Sequence, residues 1–223
     1  DGALVACSSA QPQLRRELDA LPPVKGPPIR LPFLDGIADR LLAKLVVNPA
    51  RNTKPDDTRR RAILVKTFDE ARCRRAARAL RAAGNWQVPT LIRHKASEQA
   101  DDPAFARDPN LRFMPPETVD LWRSTTKAYV DKIPPEARRL FRADYALNMR
   151  VVKIFDEEGV PMLAGSDAVG AGWEVPGFSL HEEFDELAKA GPSPLRILQM
   201  TTIDGARFLG RTATMGTVEP GRD

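Results

Sequence analysis

The stretch Gly159-Val160-Pro161-Met162-Leu163-Ala164-Gly165-Ser166-Asp167 decides how this chain is read. Val160 to Ala164 is a short apolar run, the pattern of a buried strand covered on both faces. It ends on Ser166-Asp167 and opens into a glycine-rich loop from Ala168 to Gly177. In parallel α/β folds the active site lies at the C-terminal edge of the strands. A carboxylate delivered to that edge can bind a metal, act as a base, or do both. The alternative is an aspartate that only caps the loop through neighbouring backbone groups.

Upstream, Pro134-Pro135-Glu136 opens a helix expected to run to about residue 158. Phe141, Tyr145, Met149 and Val152 recur on one of its faces, and Gly159 ends it. Downstream, a helix is expected from near Leu180, with Phe184, Leu187 and Ala188 on its apolar side and Gly191 as its stop. Ser193-Pro194 begins a last helix, with Leu195, Leu198, Thr202, Ala206 and Leu209 on one face.

Further back, residues 86–92 form a second strand-like run in which Pro89 restricts pairing. Before it a single helix is expected over about 57–83. Asp56-Asp57 favour its start, and Cys73, Ala76, Ala77 and Leu80 form its buried stripe. Residues 9–21 read as a polar helix, 1–7 as the end of a strand or its loop, and 35–47 as a short helix. Five prolines between Pro22 and Pro32 indicate a surface connection. Asp108-Pro109 and Pro115-Pro116 mark an irregular stretch before a helix near 117–132. The order of helix, strand, helix, strand and helix predicts an α/β fold with parallel strands.

The 223 residues are 42% apolar and 29% charged, an ordinary globular composition that excludes a disordered or collagen-like chain. The net charge of +4 is mild. Arginines cluster at 59–61 and at 72, 74, 75 and 78, but few aromatics accompany them and no nucleic-acid-binding motif appears. They read as a solvated helix face, and no nucleic acid is expected as partner. No apolar run reaches transmembrane length. Of the two cysteines, Cys73 is expected as a small buried side chain; its pairing with Cys7 is open. Compartment and oligomeric state are undecided. The chain begins at Asp1 without methionine and stops in a turn at Asp223, which reads as a piece cut from a larger protein.

The 159–167 stretch resembles the eighth barrel strand of the metal-dependent amidohydrolase superfamily. Pro176-Gly177-Phe178-Ser179-Leu180-His181-Glu182-Glu183 is similar to the start of the helix that follows it. Pro194-Leu195 through Thr201-Thr202, then Ala206-Arg207-Phe208-Leu209-Gly210, resembles the last barrel helix. Gly216 to Asp223 resembles the return to a small β-domain. Trp86 to Leu91 fits the seventh strand, and the flavour is that of the imidazolonepropionase and prolidase-like branch.

The resemblance implies an α/β, incomplete TIM-type (β/α)8 barrel with helical insertions. Residues 1–210 would be its C-terminal part and 211–223 the start of the β-domain. It implies a divalent metal, usually zinc, whose bound water attacks an amide, lactam or ester carbon. Asp167 would be both metal ligand and catalytic general base. His181, Ser166 and Trp173 would contact substrate or support the site. The substrates implied are cyclic amides or dipeptides ending in proline.

The family's His-x-His pair, its fourth-strand lysine or glutamate and its later histidines have no counterpart here. The only histidines are His94, expected in an exposed loop, and His181. One aspartate cannot hold a tetrahedral zinc. Alone, this chain is therefore expected to bind metal weakly and to be inactive. The alternative is a non-catalytic relative that binds or scaffolds.

Overall fold

The structure is a computed structural model and describes residues 2–22, 46–168 and 172–222. It begins with helices α1 (Gly2–Ala6) and α2 (Gln11–Asp19). Thus residues 2–6 are helical where a strand end or loop was expected. The helix expected over 35–47 lies outside the described residues except at its last two. A 3-10 turn, Pro49–Asn52, leads into α3 (Pro55–Thr67) and α4 (Glu70–Ala82).

One helix was expected across 57–83, and two are found. Phe68 and Asp69 are extended between them. This lets Phe68 bridge antiparallel to Ser8, while the Asp69 amide donates to the Cys7 carbonyl (2.9 Å). The Asp69 side chain then accepts from the Arg72 amide (3.0 Å), a strong N-cap for α4. Cys73 is fully buried as expected, but it is disulfide-bonded to Cys7 and so ties α4 to α1.

The rest of the chain is α5 (Leu91–Glu98), α6 (Pro103–Ala106), a 3-10 turn (Pro109–Phe113), α7 (Pro116–Lys132) and α8 (Pro135–Glu157), then α9 (Phe178–Ala190), α10 (Pro194–Thr201) and α11 (Ile203–Phe208). The stretch expected to be irregular is therefore largely helical. α8 is the spine and packs against α1, α3, α4, α5 and α9. Its predicted face is the buried one: Phe141, Tyr145 and Val152 are in the core and Met149 packs against it.

The two runs expected as strands meet as neighbours in the parallel sense, but only at a single bridge between Gln87 and Met162. The Gln87 amide donates to the Pro161 carbonyl (3.0 Å), and the Leu163 amide to the Gln87 carbonyl (2.9 Å). Pro89 and Pro161 each lack an amide donor, so neither run can extend the ladder through them. Residues 91–92 already belong to α5. Among the described residues the architecture is thus helical around one parallel bridge. Gly165 lets the two runs approach, since a Cβ there would stand 3.1 Å from Val88 Cγ1.

The C-terminal helices depart from their predicted faces. Ala188 is exposed, and Glu183, Glu186 and Ala190 are buried beside Leu187. The last helix breaks at Thr202, so the period restarts. Ile197, Met200 and Ala206 face the core while Leu195, Leu198 and Leu209 are exposed. Residues 211–222 are turns and bends.

Most of the arginine clusters are committed to carboxylates. Arg59 pairs with Glu17 (2.7 Å), and Arg74 bonds Glu70, Glu157 and Glu158. Arg78 reaches Glu158, and Arg61 is drawn inward to Glu98 and Asp144. Among the described residues no helix is long and apolar enough to cross a membrane.

Candidate functional site

Three residues other than glycine adopt positive φ among those described: Thr90 (47°), Asp167 (55°) and Trp173 (66°). All three follow the C-terminal ends of the bridged runs. Left-handed backbone is disfavoured for β-branched and bulky residues and clusters at functional sites. The edge expected from sequence to carry chemistry is therefore where the backbone is most constrained.

Thr90 begins α5 without capping it through its own side chain. The cap comes from α9 instead. Glu183, fully buried, accepts from the Ile92 amide through Oε2 (2.7 Å). A carboxylate at a helix N-terminus satisfies amides that have no partner within the helix, and the macrodipole favours its charge. Burial nonetheless pushes the Glu183 carboxyl up to about 7, against the lowering effect of the Ile92 and Leu91 amides.

Asp167 is 69% exposed at its side chain, and Arg93 Nε from the first turn of α5 stands 3.9 Å from Oδ2. Glu174, on the far side of the loop, is fully buried, and neither carboxylate oxygen has a hydrogen-bond partner among the described residues. Burial, helped by the charges of Asp167, Glu182 and Glu183, pushes its carboxyl up to about 8, against the pull of Arg93. Around Asp167 there is thus one exposed carboxylate, one guanidinium, and two buried acids that hold protons near neutral pH.

The other sequence-predicted residues are dispersed. Ser166 accepts a hydrogen bond from Ser179 (3.2 Å), which ties the end of the Asp167 run to α9. Trp173 is buried rather than open to a pocket. Its indole N–H donates to Thr126 Oγ1 (2.8 Å), and its ring lies against Phe105 and Trp122. His181 is exposed on α9, edge-on to Phe184. His94 is not in a loop: it sits in α5, half-buried. Burial and the charges of Arg61 and Arg93 lower its pKa to about 4, so it is neutral at pH 7.

Arg93, Glu174 and the capping role of Glu183 were missed from sequence. Glu183 had a readable signal, because it falls on the face of Ser179, Leu187 and Ala190 at helical spacing. An acid in an otherwise packed stripe needs a buried partner. Glu174 had none, being one acid in a loop.

The fit of a metal can be tested on these donors. Among the described residues no group of three or more histidine, cysteine, aspartate or glutamate side chains could hold a metal ion. A guanidinium also stands beside Asp167. The donor set described here does not fit the zinc that the resemblance implied.

No curated protein and no solved structure matches the chain. Residues 147–223, from the middle of α8 through Asp167 to the final turns, match the amidohydrolase family, so that about a third of the chain is similar to that hydrolase family.

Proposed function

We propose that this chain carries part of the site of a hydrolase that cleaves a carbon–nitrogen bond in a small cyclic amide or a dipeptide, with Asp167 as general base. The observation that carries this reading is the position of Asp167. It is presented at the C-terminal end of one of two parallel bridged runs, in left-handed backbone, exposed to solvent. The match of residues 147–223 supports the same class of reaction.

In this reading Asp167 Oδ takes the proton of an attacking water and returns it to the leaving nitrogen. Arg93, 3.9 Å away, helps to orient Asp167. The family generally uses divalent metals, but no step is routed through one, because the donors described here do not complete a site. Imidazolonepropionase-like and prolidase-like substrates are the preferred classes.

The poor metal donor set favours a second reading, in which the chain binds or scaffolds without catalysis. One experiment can exclude the second. Turnover of alanyl-proline and of a cyclic amide is assayed with residues 1–223, with and without added zinc, and zinc stoichiometry is measured. The chain alone is expected to show no turnover and less than one tightly held zinc. Turnover that Asp167→Asn abolishes would establish catalysis within these residues. Because Asp167 is exposed, that substitution should change stability by no more than about 0.5 kcal/mol.

A further inference from the structure

A second site lies along α5, in a cavity of about 230 Å³. Arg93, His94 and Ser97 line it from that helix, and Thr53 lines it from the end of the 3-10 turn Pro49–Asn52, which packs against α5. Arg93 and Ser97 are four residues apart and His94 and Ser97 three. Those spacings put side chains on one helix face, with Cβ atoms about 5–6 Å apart. Arg61 and Glu98 also line the cavity, but they answer each other: Arg61 Nη1 contacts Glu98 Oε1 (2.5 Å) and, behind it, Asp144. Burial pushes Glu98 up to about 7 and raises Asp144 as well, so these three groups carry little net charge near neutral pH.

What is left over in the cavity is a set of hydrogen-bond donors. The Ser97 side chain is only 8% exposed, yet its hydroxyl has no hydrogen-bond partner among the described residues. Unlike Glu98 Oε2, that hydroxyl keeps surface open to the cavity. The Thr53 hydroxyl and the His94 ring nitrogens are likewise without partners among the described residues. Arg93 uses Nη2 on the Val46 carbonyl (3.0 Å) and Nε on the long contact to Asp167, which leaves Nη1. A guanidinium can only donate, a hydroxyl can donate, and a neutral imidazole offers one N–H. A buried hydroxyl with no partner is costly, and water meets that need only in part, because it brings no charge to Arg93. Burial and the positive charges around His94 keep it neutral at pH 7, and the same positive field favours an anion beside it.

We propose that this cavity binds a tetrahedral oxyanion, either phosphate itself or the phosphoryl group of a small monoester, among Arg93, His94, Ser97 and Thr53. A tetrahedral anion can turn a different oxygen to donors that arrive from the helix and from the 3-10 turn. A carboxylate has two oxygens in one plane and would leave donors unpaired. Arg93 supplies the opposite charge. The proposal does not rest on the hydrolytic reading, because Asp167 does not line the cavity and binding is read without turnover.

The test is calorimetric titration of residues 1–223 with inorganic phosphate, methyl phosphate and acetate, at one ionic strength. Phosphate is expected to bind saturably at a single site, and acetate about tenfold more weakly or worse. Methyl phosphate binding within a few-fold of phosphate would support a monoester as the occupant; phosphate binding alone would support the free ion. Arg93→Gln and Ser97→Ala should each weaken phosphate about tenfold. Arg75→Gln, on the exposed face of α4, should leave it unchanged. The chain has two histidines, so the ring signals of His94 should move with phosphate while those of His181 stay. No saturable phosphate binding up to about 10 mM would overturn the proposal. So would acetate binding as tightly as phosphate, equal weakening by Arg75→Gln, or movement of His181 in place of His94. Ser97→Ala removes a hydroxyl that bonds nothing among the described residues, so it keeps the fold and carries the test if Arg93→Gln does not fold. Unchanged phosphate affinity in Ser97→Ala would equally overturn it.

Discussion

The molecule has two cores made of different side chains. The first gathers Leu4, Leu14, Leu64, Val151, Val152, Ile154, Met162 and Leu187, mostly aliphatic, around the parallel bridge and the Cys7–Cys73 disulfide. The second gathers Phe105, Trp122, Tyr129, Phe141 and Trp173, mostly aromatic, beneath the loop that follows Asp167. α8 runs through both, with Ala137 and Phe141 in the second and Tyr145 to Phe155 in the first. α5 divides between them likewise, with Leu91 in one and Ile92 in the other. Three charged groups, Arg93 and Glu98 on α5 and Asp144 on α8, belong to these shared elements, and Arg61 from α3 and Asp167 from the end of the second run meet them there. The first core is thus a scaffold that orients the runs. The second is a clamp that holds Trp173 and Val175 ahead of α9.

The largest way to separate the two is to remove the clamp. Trp173→Ala deletes a buried indole and should cost about 3–5 kcal/mol in urea-induced unfolding. Hydrogen exchange should quicken more in 103–132 than in 147–160. Equal quickening in both segments would show one cooperative core and break the comparison.

The scaffold is tested next through its cross-link. The disulfide joins residues 66 apart in sequence, so Cys73→Ser or reduction should cost about 2–4 kcal/mol. The effect should appear as a lower Tm, with exchange quickening first in α1 and α4.

Smaller still is the contact between the two. Glu183→Ala removes the cap of α5 and leaves the Ile92 amide buried and unpaired, a loss of about 1–3 kcal/mol. Glu183→Gln keeps an acceptor and should lose less, by the same melt.

The last test is in pH. Glu174 is held at about 8 and Glu98 at about 7, both above the ordinary carboxylate value of 4.5. At these two carboxyls the folded chain holds more protons than the unfolded one between about pH 4.5 and pH 8. The stability these two contribute falls as pH rises through that window, while His94, lowered to about 4, opposes it in the lower part. Glu174→Gln should flatten this decline, measured as unfolding free energy at pH 5 and pH 9.

Much of the first core is legible in sequence, because local periodicity carries it. The buried face of α8 and its stop at Gly159 need only helical spacing and a glycine that tolerates positive φ. The neighbouring placement of 86–88 and 160–164 also follows from their apolar character. Their failure to extend follows from Pro89 and Pro161, whose missing donors matter only once the two runs lie side by side. The second core is not legible in that way. Trp173 reads equally as a pocket wall or a lid until Phe105, Trp122 and Thr126 are brought to it from residues far away in sequence.

Asp167 shows the same division. Its residue type and its place after an apolar run before a glycine-rich loop are matters of sequence, and they suffice to single it out. Its surroundings are decided by tertiary structure alone. Arg93 beside it, Glu174 buried nearby and Glu183 capping α5 come from separate segments. Their charges and protons depend on burial and on through-space distance, neither of which is encoded in local spacing.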